Sequence, residues 1–251
     1  MKKSLKNNLL YLISGAVIAV VIYLTAYLLC GNEYVVPSLI SVVKDTALLF
    51  ISPAFYSSLG ATLLRVVGAF IISFILAVIF AVLARLYPFI NGVLSVIVGA
   101  LRSLPVLAVL LIILTSVSRS VAPIIVCFLS LFPILYTAFL NAIKGVSKEL
   151  EDVCKVYKIP LKKRVFSMYI PQILPKILLD SAGGFSFSLK LVVSAEILAS
   201  VYGSLGGFIH EASIYLLTSR LFALTLSVCL IGIIVEFIGK ILSEKAEKKL
   251  L

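Results

Sequence analysis

Six stretches of this sequence, 9–30, 58–84, 89–115, 121–143, 177–200 and 221–243, each run for more than twenty residues with few charged side chains. About twenty apolar residues in a helix cross the roughly 30 Å hydrocarbon layer of a bilayer. Inside that layer a backbone must satisfy its own hydrogen bonds, and a stretch of this length does so as an α-helix. Charged residues make up 13% of the chain and hydrophobic ones 62%, against roughly 25% charged in soluble domains. The blocks therefore predict an all-α integral membrane protein of six transmembrane helices forming a single transmembrane domain, 1–251.

Lysines and arginines set the orientation, because those near span ends stay on the cytoplasmic side. With the N-terminus inside, sixteen of the 22 fall there: Lys2, Lys3, Lys6, Arg85, the eight from Lys144 to Lys176, Lys240, Lys245, Lys248 and Lys249. Only Lys44, Arg65, Arg119 and Arg220 fall outside, and Arg102 and Lys190 lie within spans. Both termini are expected in the cytoplasm of a cell that carries the protein in its inner membrane. The first block resembles a signal peptide in its lysines and apolar run, but 22 residues make roughly 33 Å of helix and no small-residue cleavage site follows, so an uncleaved span is expected. The net charge of +11 follows the span ends, facing membrane lipid, and shows no aromatic-interleaved basic face, which argues against nucleic acid. The outer stretches 31–57 and 201–220 are expected to form short helices at the interface or on the spans.

Catalytic patterns are missing. There is no GxxxxGK[ST], HExxH or GxSxG, and no paired-carboxylate cluster within a span. His210 is the single histidine, and Cys30, Cys127, Cys154 and Cys229 are scattered without ligand spacing. Neither a metal, a cofactor nor an enzymatic activity of its own is expected. Energy for uphill transport would have to come from an ion gradient or a nucleotide-hydrolysing partner.

The longest inner loop, 144–176, contains LEDVCKVYKIPLKKRVFSMYIPQILP, with seven charges between Glu151 and Val165 and prolines at 171 and 175. Glu151–Tyr157 has helical composition, Ile159-Pro160 breaks it, and a second helix is expected over 161–169. Val153, Val156 and Tyr157 fall on one face, with Glu151, Asp152, Lys155 and Lys158 elsewhere. Two readings fit this pattern: a projecting element whose apolar face enters a groove of another protein, or a basic loop on anionic headgroups.

The same residues resemble the cytoplasmic loop of permease subunits of binding-protein-dependent ABC importers, whose signature is EAA-x3-G-x9-I-x-L-P. Asp152, Val153 and Cys154 stand for the acid and two alanines, Lys158 for the glycine, and Met168, Tyr169, Ile170 and Pro171 for the closing I-x-L-P. Lys158 departs from the pattern where glycine would make the turn, and Glu151 beside Asp152 leaves the acid ambiguous by one residue. YVVPSLISVVKD (34–45), SLGATLLRVVGAF (58–70), LRSLPVLAVLLIIL (101–114), FLSLFPILYTAFLNAIKGV (128–146), VVSAEILASVYGSLGGFI (192–209) and LFALTLSVCLIGIIVEF (221–237) are similar in order and spacing to the nitrate/sulfonate/taurine branch. The resemblance implies a type I importer permease fold, with a cytoplasmic ABC ATPase dimer that binds the ATP, a second permease copy or homologue, and an extracellular or lipid-anchored solute-binding protein. It implies coupling to the ATPase through Glu151, Asp152, Val153, Cys154, Val156, Tyr157, Lys158 and Pro171.

Polar residues within spans are costly and hence informative. Gly183, Ser186, Lys190 and Ser194 follow one another at spacings of three, four and four, a small polar stripe that either lines a pathway for an anionic or hydrogen-bonding solute or ties helices together. Glu196, the acid of the branch's AE stretch, is expected to make an ion pair or hydrogen bond with another span in preference to touching solute. Arg102 either satisfies a carbonyl near Pro105 or faces the pathway. Gly203, Gly206 and Gly207 read as an outer turn. A thiamine-precursor pyrimidine, riboflavin or a quaternary amine are alternative solutes, and a non-transporting scaffold that recruits a soluble protein through 145–175 is the alternative of a different class.

Overall fold

The computed structural model describes the backbone of residues 2–250 and, within it, the side chains of residues 14, 15, 17–160 and 162–248. In chain order the helices are α1 Lys2–Cys30, α2 Leu39–Ile51, α3 Pro53–Leu86, α4 Pro88–Ser103, α5 Val106–Leu114, α6 Ala122–Lys144, α7 Lys148–Val156, α8 Leu161–Arg164, α9 Ile170–Ala199, α10 Leu205–Ile214 and α11 Thr218–Leu250. Among the described residues four helices are long and apolar enough to cross a membrane, or five if the bent pair α4 and α5 counts as one span. Of the expected first span, residues 9–13 and 16 lie outside the described side chains, and Val17–Cys30 is the apolar part that is described.

The stretch expected as one straight span over 89–115 is a bent pair of helices. α4 and α5 meet at 87°, because Leu104 and Pro105 are both extended (ψ 127° and 110°). Proline lacks the N–H that would continue the helix and pushes the residue before it out of the helical region. The loop expected over 144–176 ends sooner, at the start of α9. Pro171 and Pro175 do not close it: a π turn, Val165–Tyr169, runs straight into α9, with Pro171 in its first turn and Pro175 inside it. The wider π turn, closed by the Ile170 N–H on the Val165 carbonyl, lets the chain carry a proline one residue later without a break.

Three helices form the centre. α3 presents a ridge of small buried residues, Ser58, Thr62, Val66, Ala69, Ser73, Ala77, Ala81 and Ala84, at spacings of three or four. Small side chains let backbones approach closely where no water is available to drive association, and α3 packs extensively on α6 along this ridge. α9 packs between α6 and α11. Its contact with α11 is tight: a methyl group at Gly239 would lie 1.9 Å from Ala182 Cβ. Gly239→Ala is therefore expected to overpack this crossing, destabilising by about 1–3 kcal/mol, whereas Gly68→Ala, with open space at its Cβ position, is expected to be neutral or slightly stabilising. Thermal unfolding midpoints of the two purified variants check this pair.

Candidate coupling loop and pathway face

α7 forms because Ser147 caps it, accepting from Leu150 N at 3.3 Å, and because Glu149 and Glu151 in its first turn and Lys155 in its last suit the helix dipole. The Ser147 hydroxyl, donating to Glu149 Oε2 at 2.6 Å, holds the Glu149 carboxyl below its ordinary range. The helix ends at Lys158, whose φ of +49° is left-handed. This is the position of the motif glycine, and lysine adopts the glycine conformation there. The Ile159 N–H closes back on the Cys154 carbonyl at 3.0 Å, the six-to-one bond of a Schellman cap. Arg164 fastens the turn, donating from Nη2 to the Cys154 carbonyl (3.0 Å) and from Nε to the Ile159 carbonyl (2.7 Å).

The inner side of the loop is a small core of Val146, Cys154 and Met168. Glu151 also turns inward. Its Oε1 accepts from Tyr169 OH at 2.7 Å and from Arg85 Nη2 at 3.2 Å. Asp152, one step around the helix, bonds only Lys155 (2.8 Å) and is 69% exposed, and it pushes the Lys155 ammonium pKa up through that bond. Leu150, Val153, Val156 and Tyr157 cover an outward arc of about 120°, with Val156 and Tyr157 each 76% exposed. Pro171 sits beside Gln172, whose Oε1 accepts from Ser147 N at 3.2 Å and ties the start of the loop to α9.

On α9 the residues Gly183, Phe187, Lys190, Ser194 and Leu198 form an exposed face. Lys190 has no hydrogen bond or ion pair among the described residues. Ser186 is not on that face: it is buried against Gly232 of α11, and its hydroxyl has no partner among the described residues. The three-residue step from Gly183 to Ser186 rotates it toward the neighbouring helix. Arg102 reaches from α4 to α6, donating to the Pro133 carbonyl (3.1 Å) and Thr137 Oγ1 (2.7 Å), while remaining exposed.

Glu196 is wholly buried. Arg65 Nη1 reaches its Oε1 at 2.8 Å; Thr62 Oγ1 and Gly206 N donate to its Oε2 at 2.9 and 3.1 Å. Thr62 Oγ1 in turn accepts from Leu205 N (3.0 Å), and Arg65 Nε donates to the Ser120 carbonyl (3.1 Å). Gly206 is required, since a Cβ there would lie 2.3 Å from Glu196 Cβ.

Residues 73–248 match the family model described as "Binding-protein-dependent transport system inner membrane component". The chain belongs to this family. It is the permease subunit of a binding-protein-dependent ABC importer, a membrane component and not the ATPase. A curated relative, the nitrate import permease protein NrtB of Synechocystis sp., is 27% identical over 248 residues, covering 92% of this chain and 90% of its own. The fold resembles the permease chains of solved transporters. An amino acid ABC transporter gives a TM-score of 0.63 at 18% identity, covering 81% of this chain and 97% of its own. The methionine transporter MetNI, inward-facing, gives 0.62 at 16%, covering 77% and 96%. A bacterial alginate ABC transporter, solved with a pentasaccharide-bound periplasmic protein, gives 0.64 at 12%, covering 95% and 96%.

The permease structure thus brings Glu151, Cys154 and Pro171 to the inner side of the loop, and Asp152, Val153, Val156 and Tyr157 to the outer side. It separates Lys190 and Ser194 from Ser186 and Glu196. Sequence reasoning missed Arg65, Arg85, Thr62 and Tyr169, which lie more than a hundred residues or a whole loop from their partners in places. Arg65 carried one signal, a charge seven residues into an apolar block. Removing the buried carboxylate leaves Arg65 uncompensated, so Glu196→Ala is expected to destabilise the permease by roughly 3–5 kcal/mol, read as lost yield and a lowered unfolding midpoint in detergent. Lys158→Gly relieves a left-handed penalty of about 1–2 kcal/mol, offset by roughly 0.5–1 kcal/mol of extra unfolded-chain entropy. Slower amide exchange over 148–160 is the expected outcome.

Proposed function

We propose that this permease imports a small oxyanion of the nitrate or sulfonate kind. A solute-binding protein delivers the anion outside, and two ATPase subunits beneath drive its passage by gripping residues 150–171. The observation that carries the solute class is Lys190, an unpaired cation on the exposed face of α9 between Gly183 and Ser194. A positive charge inside a low-dielectric wall draws anions and repels a quaternary amine. Arg102, exposed and spending one nitrogen on α6, adds a second positive charge to the bundle. The name of the cyanobacterial relative agrees with this class. Both termini then lie in the cytoplasm, a second permease copy or homologue completes the pathway, and ATP is bound by the partner subunits alone.

The grip rests on the outward apolar arc of α7, where Val156 and Tyr157 are each 76% exposed. ATP closure shifts the bundle only if the ATPase holds that arc better in one state than the other. For the solute class, uptake of nitrate, and in parallel taurine, into vesicles holding the assembled transporter is measured. Lys190→Gln is expected to cut uptake about tenfold, the equivalent of ~1.4 kcal/mol, while Lys190→Arg retains it. Full uptake by the glutamine variant would remove Lys190 from the pathway.

A further inference from the structure

We propose that Glu151 is a positioning residue, which fastens the loop to α3, and that α3 carries the loop's displacement to the outer end of the bundle. The inference rests on the reading that an ATPase grips this loop. Two neighbouring acids on α7 differ in what they touch. The Glu151 side chain is 15% exposed and receives both Arg85 and Tyr169 on one oxygen, whereas the Asp152 side chain is 69% exposed and bonds only Lys155. A 100° step per residue along the helix separates them. Asp152 is thus the acid free to meet the ATPase, and Glu151 is already engaged within the permease.

Arg85 lies in the last turn of α3, a helix of 34 residues whose only proline is at its first position. Arg65 and Thr62 stand 20 and 23 residues earlier on the same helix, about 30–35 Å away. There they hold Glu196 of α9 and the first N–H of α10. One unbroken rod is therefore tied at its inner end to the loop and at its outer end to α9 and α10. Coupling between distant sites can be carried by bonded networks and rigid secondary elements, and α3 is a rigid element bonded at both ends. The Arg85 side chain is 42% exposed, so its ion pair adds little to stability, and its loss should disturb coupling well before folding.

The test uses the transporter assembled with its ATPase and solute-binding protein in vesicles. Three quantities are read: ATPase retained on the purified permease, basal ATP hydrolysis, and its stimulation by the binding protein. Arg85→Glu is expected to retain the ATPase and basal hydrolysis but to lower stimulation at least threefold; Glu151→Arg is expected to lower stimulation likewise, and the double exchange to restore it. Glu151→Gln should behave as the milder form of the single change. Val156→Asp, which reads the grip itself, should instead release the ATPase; if it does not, the gripping reading fails on its own measurement. The role of Glu151 is overturned if Arg85→Glu releases the ATPase as Val156→Asp does, if stimulation stays at the wild-type level, or if the exchanged pair fails to recover it.

Discussion

A carboxylate with no access to solvent organises one end of this permease. Burying a charge is tolerable only when partners replace its water, and Glu196 has three: a guanidinium, a hydroxyl and a backbone amide. Those partners come from α3 and from the start of α10, and Arg65 extends the set to the Ser120 carbonyl before α6. The first amides of α10 are satisfied in the same arrangement, Leu205 by Thr62, Gly206 by Glu196 and Gly207 by Ser204. A negative group at a helix N-terminus also suits the helix dipole. The close approach depends on glycine at 206, because any side chain would strike Glu196 first. Position, charge and the missing Cβ form one requirement, so α9 cannot shift against α3 without breaking several of these bonds at once.

The end that carries the loop is built on opposite terms. There the loop sits on a small apolar core and keeps its shape through local devices: a serine cap, a left-handed Lys158, and the Arg164 clamp on the Cys154 and Ile159 carbonyls. A lysine in glycine's conformation stores a modest strain that the clamp and the six-to-one bond hold in place. The apolar arc of α7 remains uncovered while its opposite side is packed on Met168. A surface element held firmly from behind and bare in front is suited to pushing or being pushed.

The division between what the sequence revealed and what it hid follows the range of the forces involved. Length and hydrophobicity are local, so the apolar blocks and the family loop could be read directly, down to Lys158 standing at the motif glycine. Proline was legible only in part: Pro105 bends the chain by 87° and Pro171 does not interrupt it at all, and the difference lies in a π turn that periodicity does not signal. Side-chain direction failed at Ser186, where a three-residue step crossed from the open face to the α11 contact. Partners distant in the chain were invisible. Arg65 meets Glu196 across 131 residues and Arg85 meets Glu151 across 66, and a single sequence holds no record of such distances.

The open face of α9 cannot be a lipid face. Lys190 lies nine residues, about 14 Å of helix, from the end at Ala199, farther than a lysine side chain extends toward a headgroup. An ammonium left in hydrocarbon at such depth costs roughly 2.5–3.5 kcal/mol even on insertion scales, and no carboxylate among the described residues offsets it. Water or another protein surface must therefore lie against Gly183, Lys190 and Ser194. The same reasoning explains why Glu196, only six residues farther along, is treated oppositely: it turns inward, where partners exist. Lys190 and Glu196 thus lie on different sides of α9, one open and the other holding the bundle together.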